Sequence, residues 1–185
     1  MTSSAALVQS SLPTLVLACL VSCASTLPYG IVWIMYIRHP TEMWRLGAGA
    51  TAVAGLAGAS ALHALWATGS SWPTTGSDEL ADLVVGRRPM PGRAACAAVA
   101  AALAVAAGAT ATATGGRPGR LTDHSRTMAT VVSASLLVRG VGGMAADLTG
   151  MGDATPTFRR WNRRLYSPLC VSLAILVAVG RRSRS

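Results

Sequence analysis

The chain has 185 residues, of which 51% are hydrophobic and only 12% charged, against roughly 25% charged in an ordinary soluble domain. Sixteen basic and seven acidic residues give a net charge of +9, yet mean hydropathy is +0.45. Uncharged residues come in long blocks with the charges between them, as membrane-spanning helices require. This pattern argues against a soluble enzyme domain, a disordered basic tail and a disulfide-stapled secreted module.

Residues 1–37 carry no charged side chain. From Leu12 to Ile37 the run is long enough to cross ~30 Å of hydrocarbon as a helix. Pro28 is expected to kink it, with Trp33 and Tyr36 at its interfacial end. Leu20-Val21-Ser22-Cys23 also resembles a lipoprotein cleavage box, but no basic residue precedes the apolar run and the run continues well past Cys23. A retained first span is therefore the expectation. The second span runs from Leu46 to Ala67 and is rich in Gly and Ala, with the pairs Ala48/Ala52 and Gly55/Ala59 spaced for close helix approach and for self-association or a membrane partner.

The third span, Ala94–Thr114, is nearly poly-Ala and is the weakest expectation, because Ala is almost neutral for insertion. The fourth, Thr127–Asp147, contains Arg139. The fifth, Leu165–Gly180, is short and bracketed by Arg163/Arg164 and Arg181/Arg182, whose stems can snorkel outward. Pro168 falls in its first turn, where a missing N–H costs little. Polar connections occupy 38–45, 68–93, 115–126 and 148–164, and the third reads as a simple basic turn. The two sides carry seven and eight Arg, so the bias does not resolve orientation.

All basic residues are Arg and Lys is absent, a composition that fits a GC-rich coding bias. Their scatter, without aromatic interleaving, points to acidic lipid head groups as partners and not to nucleic acid. Cys19, Cys23, Cys96 and Cys170 lie in apolar stretches with no CxxC or Cys/His spacing. No metal or cofactor is expected from them.

Arg139 is the most informative residue. A guanidinium at membrane depth costs ~2.5–3.5 kcal/mol on insertion scales, so it should be buried in the bundle and paired, to Asp147 or to another helix. His63 and Trp66 end the second span, and Phe158–Cys170 packs four Arg with Trp161 and Tyr166 at the entry of the last. Threading through the bilayer brings His63, Trp66, Arg139, Asp147, Asn162 and Tyr166 to one membrane face. The expectation is a shallow polar pocket holding an anionic lipid head group; the alternative is an interfacial belt without a cavity.

Three motifs resemble a family of small integral membrane proteins of high-GC bacteria catalogued as a domain of unknown function. They are His63-Ala-Leu-Trp66-Ala-Thr-Gly69, Arg139-Gly-Val-Gly142, and the stretch from Phe158 through Tyr166-Ser-Pro-Leu-Cys170. The likeness covers about residues 46–180. Two departures stand out: the resemblance implies Asp at the positions of Gly143 and Asn162. It implies a membrane fold and supplies no activity.

The expected fold is all-α, an integral membrane bundle of four core transmembrane helices plus one N-terminal apolar helix. Residues 1–45 form the first part and 46–185 the transmembrane domain. The expected role is that of a multi-pass cell-membrane protein whose polar residues serve packing and lipid contact. A small enzyme acting on a lipid or isoprenoid phosphate is the alternative, with Arg139 as clamp and His63 as acid or base. A solute or proton-coupled transporter is the other.

Overall fold

The computed structural model describes residues 40–116, 119–151 and 153–181. The expected first span, with Cys19 and Cys23 and the question of its processing, lies outside the described residues. The chain divides into two units, residues 1–44 and 45–185. The described elements are α1 (Pro40–Ala67), α2 (Ser77–Val84), α3 (Arg93–Gly115), α4 (Arg120–Thr149), α5 (Pro156–Trp161), a π-helical turn (Asn162–Tyr166) and α6 (Ser167–Gly180). There is no strand among the described residues.

Among the described residues, four segments are long and apolar enough to cross a membrane: Glu42–Ala67, Arg93–Gly115, Arg120–Thr149 and Pro156–Gly180. The fold is therefore the all-helical one expected of a multi-pass membrane protein. The Ala-rich α3, the weakest expectation, has the highest mean hydropathy of the four at 2.0.

Three boundaries differ from the sequence reading, one of them the start of the second span, where the helix begins at Pro40 in place of Leu46. The basic connection expected over 115–126 is mostly helix, since α4 begins at Arg120. Thr122 and Ser125 are buried there, Asp123 lies in the first turn where the helix dipole favours a carboxylate, and Arg126 pairs with Asp123 at 3.4 Å. The last span, expected to start at Leu165, starts at Pro156. The Thr155 side chain caps it, accepting the Phe158 N–H at 3.3 Å, and Pro156 occupies the first turn, where no N–H is missed.

The core is built from small side chains. Ala52 and Leu56 of α1, Ala106, Ala107 and Ala113 of α3, Ala129 of α4 and Val177 of α6 form one buried cluster. Lipid offers apolar surface as readily as protein does, so helices in a membrane associate through close van der Waals packing and interhelical hydrogen bonds. Both are present. A Cβ on Gly180 would stand 2.8 Å from the Gly49 Cα, and one on Gly55 would stand 2.6 Å from Leu173 Cδ2. Ser60 Oγ donates to Ala100 C=O and Ser133 Oγ to Ala174 C=O, each at 2.8 Å. The seam between α4 and the last span is close as well: a Cβ on Gly140 would lie 2.7 Å from Val171 Cγ2 and 2.9 Å from the Ser167 carbonyl oxygen. A backbone atom cannot rotate aside, so Gly140→Ala is expected to destabilise the bundle by ~1–3 kcal/mol, the cost of overpacking. Thermal unfolding of the two proteins in one detergent measures it; equal midpoints would show that the seam yields freely.

The other Arg of note is Arg45. The sequence reading left it in the connection 38–45; it is instead part of α1 and buried, 9% exposed. Its Nη1 donates to the carbonyls of Thr114, at 2.6 Å, and Gly180, at 3.2 Å. These carbonyls belong to the last turns of α3 and α6, which both end beside Arg45.

At the opposite end, the connection between α1 and α3 is folded down. Leu80 and Ala81 of α2 are buried while Asp78 and Glu79 face outward. The Thr155 N–H donates to Gly86 C=O at 2.8 Å, Thr155 Oγ1 to Asp82 C=O at 3.0 Å, and Tyr166 OH to Leu83 C=O at 3.2 Å. Gly86 has φ +82 and lies under the Phe158 ring, so both its conformation and its contact favour glycine. On the outer side, Arg88 donates to the Asp82 carboxylate, which these bonds hold below its ordinary pKa.

Candidate functional site

The last span carries the feature on which the site is built. Pro168 has no N–H to give and its ring needs room over the carbonyls a turn back. The ladder widens there: Ser167 N–H donates to Asn162 C=O, five residues earlier. Residues five apart on a regular α-helix point about 140° apart. The π turn instead stacks Asn162 and Ser167 on one side, both 1% exposed and joined by a bond from Ser167 Oγ to Asn162 Oδ1 at 3.2 Å.

That side faces α4, and Asn162 joins three of its positions spaced four apart. Asn162 Oδ1 accepts from Arg139 Nη1 at 3.4 Å. Its Nδ2 donates to Gly143 C=O at 3.1 Å and to Asp147 Oδ2 at 2.7 Å. All four hydrogen-bonding places of the carboxamide are filled, and their directions fix which end is oxygen. Gly143 makes the arrangement possible, because a Cβ there would run into the Arg139 guanidinium and lie 3.2 Å from Asn162 Nδ2. The two positions at which the chain departs from the motifs it resembles, 143 and 162, thus both stand against Arg139.

Arg139 corrects one expectation in part. It has a partner on another helix, Asn162, and no ion pair with Asp147 closer than 4 Å; but it is exposed, not buried. The expected six residues also divide. Arg139, Asp147 and Asn162 form one hydrogen-bonded set. Tyr166, on the same π turn, sends its hydroxyl to Leu83 C=O and sets its ring 6.0 Å from that of Phe158. The His63 Nδ1 is 2.9 Å from Ala59 C=O on its own helix, and its ring meets Trp66 edge-on at 4.9 Å. Trp66 Nε1 donates to Trp72 C=O in the following connection. Among the described residues, no hydrogen bond or ring contact links His63 or Trp66 to the Arg139 set.

A surface groove of about 510 Å³ runs between α4 and α6, walled by Gly140, Met144, Leu148, Ser167, Pro168 and Val171 among others. It is apolar, and none of the six expected residues lines it. Helical geometry explains this. Gly140 marks the line where α4 touches the last span; Met144 and Leu148 fall on one flank of that line, while Arg139 and Gly143 fall on the other. Among the described residues, no group of three or more His, Cys, Asp or Glu could hold a metal ion.

Further basic side chains at this end sit on α5 and the π turn. Arg160, Arg163 and Arg164 are exposed. Among the described residues no carboxylate pairs with them, whereas Arg88 has Asp82 and Arg126 has Asp123. Two residues that matter were missed as site residues from sequence. Ser167 was visible inside the Tyr-Ser-Pro-Leu-Cys string, but its role depends on the π turn. The backbone carbonyl of Gly143 leaves no signal in a side-chain pattern.

Neither the curated proteins nor the solved structures include a match to this chain. A family model does match, over residues 56–177, which takes in α1 from Leu56, the Arg139 set and most of the last span. The chain belongs to the family described as "Protein of unknown function (DUF3995)".

Proposed function

We propose that this is a multi-pass protein of the cell membrane that holds anionic lipid head groups at the face where α1 ends and the last span begins. The observation that carries this reading is the collar of Arg160, Arg163 and Arg164, exposed and without carboxylate partners among the described residues. It sits at the entry of an apolar helix, where lipid phosphates stand, and each Arg near an anionic surface contributes ~1 kcal/mol. Trp72, half-exposed at the same end, suits the interfacial belt. Catalysis on a lipid phosphate would need a base beside the Arg139 guanidinium. His63 instead engages Ala59 and Trp66, so the geometry favours binding over turnover.

Full-length protein purified from membranes is expected to carry anionic lipid, counted by mass spectrometry of the co-purified lipids. Replacing Arg160, Arg163 and Arg164 together by Gln is expected to reduce its enrichment over zwitterionic lipid at least tenfold, with the helix content unchanged. Equal enrichment in the two proteins would defeat the reading.

A further inference from the structure

Along α4 the residues seven apart share a face, with a drift of about 20° per step. Ser125 is buried, Val132 packs against the core cluster, and the next in the column is Arg139, which is exposed. The column that packs against the other helices over its first half is thus uncovered at Arg139. Arg139 therefore presents its guanidinium at the surface of the bundle.

That guanidinium is held in place yet little used. Its one hydrogen-bond partner among the described residues is Asn162 Oδ1, which leaves most of its five N–H donors unengaged. Asp147 does not neutralise it by direct contact; the carboxylate accepts from the other end of the Asn162 amide and so keeps Oδ1 turned toward Arg139. Gly143 adds clearance on the side facing the π turn. A planar fork, oriented by a neutral amide and presented at the surface, has the geometry that takes two oxygens of a phosphate at once.

We infer that Arg139 is the anchor of a single phosphate-binding site on the surface of α4 beside the π turn, with Asn162 as its positioning residue. The site is separate from the Arg160–Arg164 collar and does not depend on it. A phosphate group reaches it either as a free anion or as the head group of a lipid; the chemistry of recognition is the same.

The test uses the full chain in nanodiscs. Titration with inorganic phosphate into phosphatidylcholine discs covers the free anion, and discs with increasing phosphatidic acid cover the lipid. Saturable one-to-one binding in either arm supports the site, and the arm that saturates identifies the source. Arg139→Gln is expected to weaken that binding more than tenfold. Arg139→Lys, which keeps the charge and loses the fork, should weaken it several-fold. The triple collar variant, Arg160, Arg163 and Arg164 each to Gln, should still show saturable one-to-one binding that Arg139→Gln removes, while losing general anionic-lipid enrichment, so the two ideas fail separately. Circular dichroism confirms that each variant is folded. Saturation in neither arm, or an Arg139→Gln protein that binds like the wild type, overturns the assignment.

Discussion

Arg45→Ala is expected to cost ~3–5 kcal/mol of stability, the largest effect of any single side chain at its end of the bundle. A helix leaves its last four carbonyls without partners and gathers about half a negative charge at that end. Here two such ends, those of α3 and α6, converge on one guanidinium through Thr114 and Gly180. Removing it strands two desolvated carbonyls at ~1–3 kcal/mol each and gives up the attraction to both dipoles. The glycines beside it raise the stakes, because Gly49 and Gly180 approach so closely that there is no space for an alternative polar group between them. Arg45→Lys keeps the charge but not the spread of donors and should lose about half as much. Chemical unfolding in detergent, followed by circular dichroism, gives both numbers. A loss under about 1 kcal/mol for Arg45→Ala would mean that water satisfies these helix ends.

Asn162→Leu is expected to be comparably damaging, at ~3–5 kcal/mol. The substitution fills the same space but strips partners from Arg139, Asp147 and the Gly143 carbonyl at once, and charged groups left without partners in a low-dielectric setting carry the heaviest penalty. The charge-swapped pair gives a sharper check. Asn162→Asp alone sets a carboxylate against Asp147, whose oxygen lies 2.7 Å from the present amide nitrogen. Adding Asp147→Asn restores a donor facing an acceptor and leaves the new carboxylate to receive Arg139. The double variant should therefore be more stable than Asn162→Asp by over about 1 kcal/mol, a coupling that a double-mutant cycle isolates. Recovery will be incomplete, since the Gly143 carbonyl loses its donor. Simple additivity of the two costs would show that the chain of bonds through Asn162 is not a working unit.

The membrane fold was legible in the sequence because its cause is local. A long apolar stretch poor in charge has nowhere else to bury its surface, whatever the rest of the chain does, and the four described spans follow from such stretches. Family membership was legible for a similar reason, through short strings around His63, Arg139 and Tyr166-Ser-Pro-Leu-Cys170. Asp147 and Asn162 were also picked out, as polar side chains at the apolar edges of spans. What they do was not legible. Asn162 becomes a link between Arg139 and Asp147 only because the π turn rotates it over Ser167, and the turn answers to packing against α4 as well as to Pro168. The His63–Trp66 pair looked like part of the same site because both lie at the same end of the bundle, but an end shared in depth says nothing about which flank of a helix a side chain occupies. Arg45 is the clearest case. From the sequence it was one more Arg in the polar connection 38–45. Its burial depends on carbonyls 69 and 135 residues away. Hydrophobic burial is a property of each segment, and the sequence by itself determined it. The pairing of a charge with particular helix ends is a property of where those ends meet, and only the tertiary structure decided that.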